Sequence, residues 1–117
     1  MMHLHRENLL KLFIPNKKLL ILRPTLIYGR DDTHNSYGPN RFMRLAIKNE
    51  DIKLFGKGEE LRDHIHINDV IKTIFLSIKS NKFGIFNIVT GKIISFNNLA
   101  KMAIKKSNSK SKIIFTK

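Results

Sequence analysis

The sequence predicts an α/β fold, and three observations carry that prediction. Apolar residues recur with helical and strand periods in alternation along the chain. One run, "LLIL", is apolar on consecutive residues, as a parallel strand covered on both faces requires. Glycine, proline and asparagine stand at the joints between these segments.

The elements follow in order. Residues 2–13, "MHLHRENLLKLF", place Leu9, Leu10 and Phe13 at helical spacing, and Pro15-Asn16 stops that helix. "KLLILRP" reads as a strand cut from a larger parallel sheet, since its apolar stretch at 19–22 needs neighbours on both sides. A polar loop over 29–38 ends in Gly38-Pro39, where proline suits the first turn of a helix running to about Asn49 with Phe42, Leu45 and Ala46 inward. "IKLFGKGEEL" is a short strand and a glycine-flanked turn, and "RDHIHI" a second strand. Ile67, Val70, Ile71, Ile74, Phe75 and Ile78 form one helical stripe, with Asn68 as its expected cap and Asp69 in the first turn. "FGIFNIVTG" reads as a buried strand closed by glycine. Ser95 can cap a further helix with Leu99, Met102 and Ala103 inward, and "KIIF" makes a last strand. The stretch from Lys92 to Lys117 holds seven lysines and no acid, so its end is expected to fray.

Composition narrows the class. A chain of 117 residues fits one small domain or a piece of a larger one, and 42% hydrophobic residues suffice for a core. The absence of cysteine excludes disulfides, a thiol nucleophile and thiolate zinc sites, and fits a cytoplasmic setting. No apolar run approaches the roughly 20 residues of a membrane helix. Lys and Arg total 22 against 9 Asp and Glu, a net charge of +13 that suits an anionic partner. The lysines are scattered rather than gathered in one motif, as a general bias toward lysine would produce, which weighs against a nucleic-acid footprint. His64 and His66 share a strand face, but no third ligand stands at a convincing spacing, so no metal site is expected.

The ordered motifs "ILRPTLIYG", "GPNRF", "LFGKGEELRDHIHINDV", "GIFNIVTG" and "SFNNLAKMA" resemble the C-terminal half of the NAD-dependent epimerase/dehydratase family, the extended short-chain dehydrogenases that modify nucleotide sugars. The similarity spans about residues 3–104. It implies the C-terminal part of an NAD(P)-binding Rossmann-type fold. Residues 1–30 would supply the last helix and strand of the Rossmann sheet, and 31–117 a small mixed α/β substrate-binding lobe with a lysine-rich tail. NAD or NADP is the implied cofactor and a nucleotide-diphosphate sugar the implied ligand. A separate Rossmann half or a homodimer partner would complete the site.

The family's glycine-rich pyrophosphate turn and catalytic tyrosine do not occur in these motifs, so the chain is expected to be a truncated or split substrate-binding portion, inactive alone. Counting back from Glu7, His3 falls on the position of the family's catalytic lysine, and its interval to Arg23 supports that register. The resemblance further implies that Arg23 and Pro24 end the strand beside the nicotinamide, and that Thr25, Leu26 and Tyr28 line the cleft between cofactor and substrate. Leu26 departs from the asparagine common there and cannot make its hydrogen bond. Asn40 and Arg41 would meet phosphate at a helix start. Lys53 and Phe55 would flank the base, and Arg62 would grip the diphosphate with its planar fork. The alternative is a basic non-enzymatic remnant that binds nucleic acid or another polyanion.

Overall fold

The computed structural model describes residues 2–117. Helix α1 (Met2–Phe13) runs into a 3-10 turn at Asn16–Lys18 and then strands β1 (Leu20–Pro24) and β2 (Leu26–Tyr28). Helix α2 (Pro39–Ile47), strands β3 (Ile52–Phe55) and β4 (Leu61–His66) and helix α3 (Ile67–Lys79) follow. Strands β5 (Gly84–Ile88) and β6 (Ile93–Ser95), helix α4 (Phe96–Lys106) and strand β7 (Ile113–Thr116) complete the chain. The strands pair as three small sheets: β1 with β5, β2–β4–β6, and β3 with β7. All pairings are parallel except β4 with β6.

The larger core lies where α2 and α4 pack over β3. Phe42 and Ala46 from α2, Ile52 and Leu54 from β3, and Phe96, Ala100 and Ala103 from α4 form one buried cluster. Phe42, Ile52 and Leu54 are almost wholly enclosed, and each such burial stabilises by about 1.5–3 kcal/mol. Close approach sets one glycine there: a Cβ on Gly58 would stand 2.7 Å from Leu54 Cδ1 and 3.0 Å from the backbone nitrogen of Asn97, and its φ of +66° is left-handed. The second core is small, made of Ile65, Val70 and Ile88 with Leu22 beside them.

Several sequence expectations change here. Among the described residues β1 pairs only with β5, so Leu20, Ile21 and Leu22 are half-buried, and β5 is exposed except at Ile88. The stripe of α3 buries Val70 alone, while Ile71, Ile74, Phe75 and Ile78 face outward, because no second layer lies on that helix among the described residues. Its cap is His66, whose Nδ1 accepts from the Asn68 backbone N–H at 3.2 Å, so the expected cap at Asn68 is two positions too late. In α4, Ser95 caps as expected, but Met102 is 47% exposed, and the buried positions are Phe96, Ala100 and Ala103.

The tail does not fray. β7 lies parallel to β3 in the register Ile52↔Ile113 to Phe55↔Thr116. The Asn49 side chain accepts from the Lys110 N–H at 2.8 Å and Asp51 from the Lys112 N–H at 2.9 Å, which lock the approach to that strand. Lysine-rich composition hid this, since a strand's backbone pairing does not depend on the charge of its flanks. Strand β6, only three residues long, carries no period the sequence could show.

Candidate functional site

β2 is positioned by backbone pairing with β4, which sets Leu26 opposite His64 and Tyr28 opposite His66. The Tyr28 and His66 rings meet edge-on at 5.2 Å. Where β2 ends, the loop over residues 29–38 folds back across the start of α2. A small cleft of about 60 Å³ opens there, bordered by Leu26, Tyr28, Asp32, Tyr37, Asn40 and His64. Three of the expected substrate residues, Leu26, Tyr28 and Asn40, therefore meet at one place. Gly38 makes the turn possible with a φ of +146°, a conformation that side-chain-bearing residues rarely adopt.

The loop is held by polar contacts. Asp32 accepts from the His34 backbone N–H at 2.9 Å and from Asn40 Nδ2 at 2.6 Å, and these bonds hold its carboxyl below the usual carboxylate range. Arg44, on α2, donates to the carbonyls of Asp32 and His34. The Asn40 side chain is thus bonded within the loop.

Tyr37 joins the cleft to the rest of the expected site. Its ring packs on Phe42, Phe96 and Phe55 at centroid distances of 5.0, 4.6 and 5.5 Å. Its hydroxyl accepts a long hydrogen bond from the Phe55 N–H at 3.4 Å. Burial raises the Tyr37 pKa, the Phe55 bond and the Arg41 charge oppose it, and the Glu60 charge adds to it. Phe55 thus meets this phenol directly, and Glu60, whose charge acts on it, is the ion-pair partner of Arg62.

Phe55 is 72% exposed and free to present its ring, with Lys53 exposed on the same face of β3. Arg62 is exposed, donating to Glu60 and to the Leu61 carbonyl at 3.2 Å. An exposed ion pair of this kind contributes little stability and can exchange partners readily.

Other expected site residues lie elsewhere. His3 is exposed on α1, one turn before Glu7. Glu7 binds Arg23 through two hydrogen bonds of 2.9 and 2.5 Å, which lower the carboxyl pKa and raise that of the guanidinium. This pair ties α1 to the end of β1. Thr25 is tied to both neighbouring strands: its hydroxyl donates to the Asp63 carbonyl at 2.9 Å, and its N–H donates to the Ile88 carbonyl at 3.0 Å. Pro24 closes β1 opposite Ile88 and is exposed.

Three further residues belong to this region beyond the expected site residues. Asp63 accepts from the Thr90 hydroxyl at 2.7 Å, from the Thr90 N–H at 3.1 Å and from the Gly91 N–H at 2.8 Å, and its carboxyl pKa is lowered, first by the Thr90 hydroxyl. That clip fixes the turn after β5 against β4. Both ring nitrogens of His64 are buried without a partner, and burial lowers its pKa. Tyr37 is the third, signalled only by its place before Gly38-Pro39. His64 and His66 part in role despite sharing a face, and no group of three or more potential metal ligands occurs among the described residues.

Comparison with known proteins gives a consistent result. Residues 5–89 match the model of the NAD dependent epimerase/dehydratase family. The dTDP-4-dehydro-6-deoxy-D-allose reductase of Streptomyces bikiniensis is 25% identical over 107 residues, covering 86% of this chain and 30% of the relative. The ADP-L-glycero-D-manno-heptose-6-epimerase of Fusobacterium nucleatum is 34% identical over 74 residues, covering 62% and 22%. Among solved structures, UDP-glucuronic acid 4-epimerase from Bacillus cereus in complex with NAD superposes with a TM-score of 0.76 at 24% identity, covering 99% of this chain and 38% of that one. The chain therefore spans under a third of the length of these curated relatives.

Proposed function

The chain belongs to the NAD dependent epimerase/dehydratase family, and on that premise we propose that it forms the nucleotide-sugar-binding part of an NAD(P)-dependent epimerase, dehydratase or reductase. One observation supports this reading above the others: Tyr37 lines the cleft with Leu26, Tyr28 and Asn40 and packs on Phe55, while the charges of Arg41 and of Glu60, the partner of Arg62, act on its hydroxyl. In this reading Phe55 offers a ring face to the base, with Lys53 beside it. Arg62 leaves Glu60 to bind the diphosphate, Arg41 adds charge at the start of α2, and the sugar enters the cleft beside Tyr28. Leu26 makes that wall apolar, so the sugar packs there rather than forming a hydrogen bond.

NAD(P), when bound, would supply hydride transfer. The residues present fit the edge of such a cofactor site and not its whole. Arg23 and Pro24 end a parallel strand, but the guanidinium is engaged by Glu7 and proline has no N–H to donate. No glycine-rich pyrophosphate turn occurs in the 117 residues. The cofactor would be held mainly by a Rossmann segment or a partner chain, and these residues alone would bind substrate without turning it over. His3 would stand at the position of the family's lysine, connected to Arg23 through Glu7.

Titration of the labelled chain with UDP-glucose, dTDP-glucose or an ADP-sugar, followed by amide NMR, tests the proposal. Saturable shifts at Asn40, Lys53, Phe55 and Arg62 are expected. Arg62→Ala should weaken that binding roughly 10- to 100-fold, and Arg62→Lys should recover only part of the loss. Absence of shifts up to about 10 mM of all three ligands, beyond any useful affinity, would overturn the reading.

A further inference from the structure

A second cleft, of about 530 Å³, shares the wall of Tyr28, Pro39 and His64 with the candidate site and is otherwise lined by different residues. Leu99, Met102, Ala103 and Lys106 of α4 all line it, spaced as one helical face, with Met43 of α2 and Ile94 of β6 among the other lining residues. That face covers about 10 Å of helix at 1.5 Å per residue. The volume lies in the range of small-molecule sites, roughly 300–1,000 Å³. Part of the apolar lining is unsatisfied, since Met102 is 47% and Ile93 67% exposed.

Charge selects the occupant. Lys92 and Lys106 border the cleft, no acidic residue lines it, and neither lysine is in an ion pair among the described residues. Apolar walls bordered by two lysines that hold no ion pair among the described residues complement a ligand with an apolar body and an anionic head. A neutral apolar ligand would leave the lysines unused, and a small anion would leave the methionines and Leu99 uncovered. We propose that this cleft between α2, α4 and β6 binds a medium-chain carboxylate, its chain along Met43, Leu99 and Met102 and its head at Lys92 and Lys106.

The test uses the whole chain with ¹³C-labelled methionine methyls and dodecanoate below its micelle concentration. Dodecanoate should shift the Met43 and Met102 methyl resonances saturably. Lys92→Glu with Lys106→Glu should weaken it at least tenfold, while leaving the fold, read from the amide spectrum, intact. Dodecyltrimethylammonium, with the same chain and opposite head, should bind at least tenfold more weakly than dodecanoate. Three results would overturn the proposal: unmoved methyls; equal affinity for the two amphiphiles; or methyl shifts that follow protein concentration alone, which would mean that a second copy covers the cleft. Should the double lysine variant lose its fold, Met102→Gln, at an exposed position, serves instead, and unchanged dodecanoate affinity in it would also refute the site.

Discussion

The two halves of the molecule are built from similar residues and end in opposite states. Around α2, α4, β3 and β7, large apolar side chains close on one another, with Phe42, Ile52 and Leu54 nearly fully enclosed. Around α1, α3, β1 and β5, equally apolar side chains stay open: Phe13, Phe75 and Ile78 are 82%, 65% and 67% exposed. The difference is the number of layers. Both halves hold a two-stranded sheet, but α2 and α4 pack over β3 and α4 over β7, whereas among the described residues no helix packs as closely on β1 or β5. A parallel sheet is ordinarily covered on both faces, so these surfaces are suited to further packing. The candidate site draws its ring platform from the closed half, and His3 and the Glu7–Arg23 pair belong to the open one.

This contrast can be broken most directly at Phe42. Phe42→Ala should lower the unfolding free energy by about 3–5 kcal/mol, the range for a large side chain removed from a packed core. Chemical denaturation reads the loss, and the amide NMR spectrum should show it spreading through Phe96 and Tyr37, which touch that ring. A loss below about 1 kcal/mol would mean that the closed half is not the stable unit of this chain.

The next effect lies at the seam between the halves. Asp63, on β4, holds the turn that follows β5, so Asp63→Asn should lower the melting temperature less than Phe42→Ala does, and by a clear margin more than a surface substitution. The pH dependence has a defined sign. Because the folded carboxyl pKa is depressed, this contribution is present above the unfolded value of about 3.9 and is lost as pH falls through the folded pKa. The gap in stability between wild type and Asp63→Asn should therefore close in acid. A gap that persists below both pKa values would assign the stabilisation to the side-chain shape and not to its charge.

The smallest effect is expected at α3. Phe75→Ala should change the unfolding free energy by less than about 0.5 kcal/mol, since the ring is largely solvated. A substantially larger loss in dilute protein would show that α3 is covered in solution, and the contrast between the halves would then reflect a missing partner.

The local elements were legible from the residues themselves. Pro39 after Gly38 began α2, Ser95 capped α4, and the consecutive apolar residues of "LLIL" marked a parallel strand. These depend on neighbours within a few positions, where backbone sterics and capping bonds act. The ordered motifs also carried the family, because each keeps its residues close together in the chain. Burial was decided elsewhere. Nothing in the spacing of Ile71, Ile74 and Ile78 could say that no layer would cover them, or that β7 would find β3 across more than half the chain. The same holds for the site, where Tyr37 became its hinge only when Phe42, Phe55 and Phe96 converged on one ring. Periodicity fixes which side chains share a face, but what meets that face depends on contacts between residues far apart in sequence, and only the folded chain settles them.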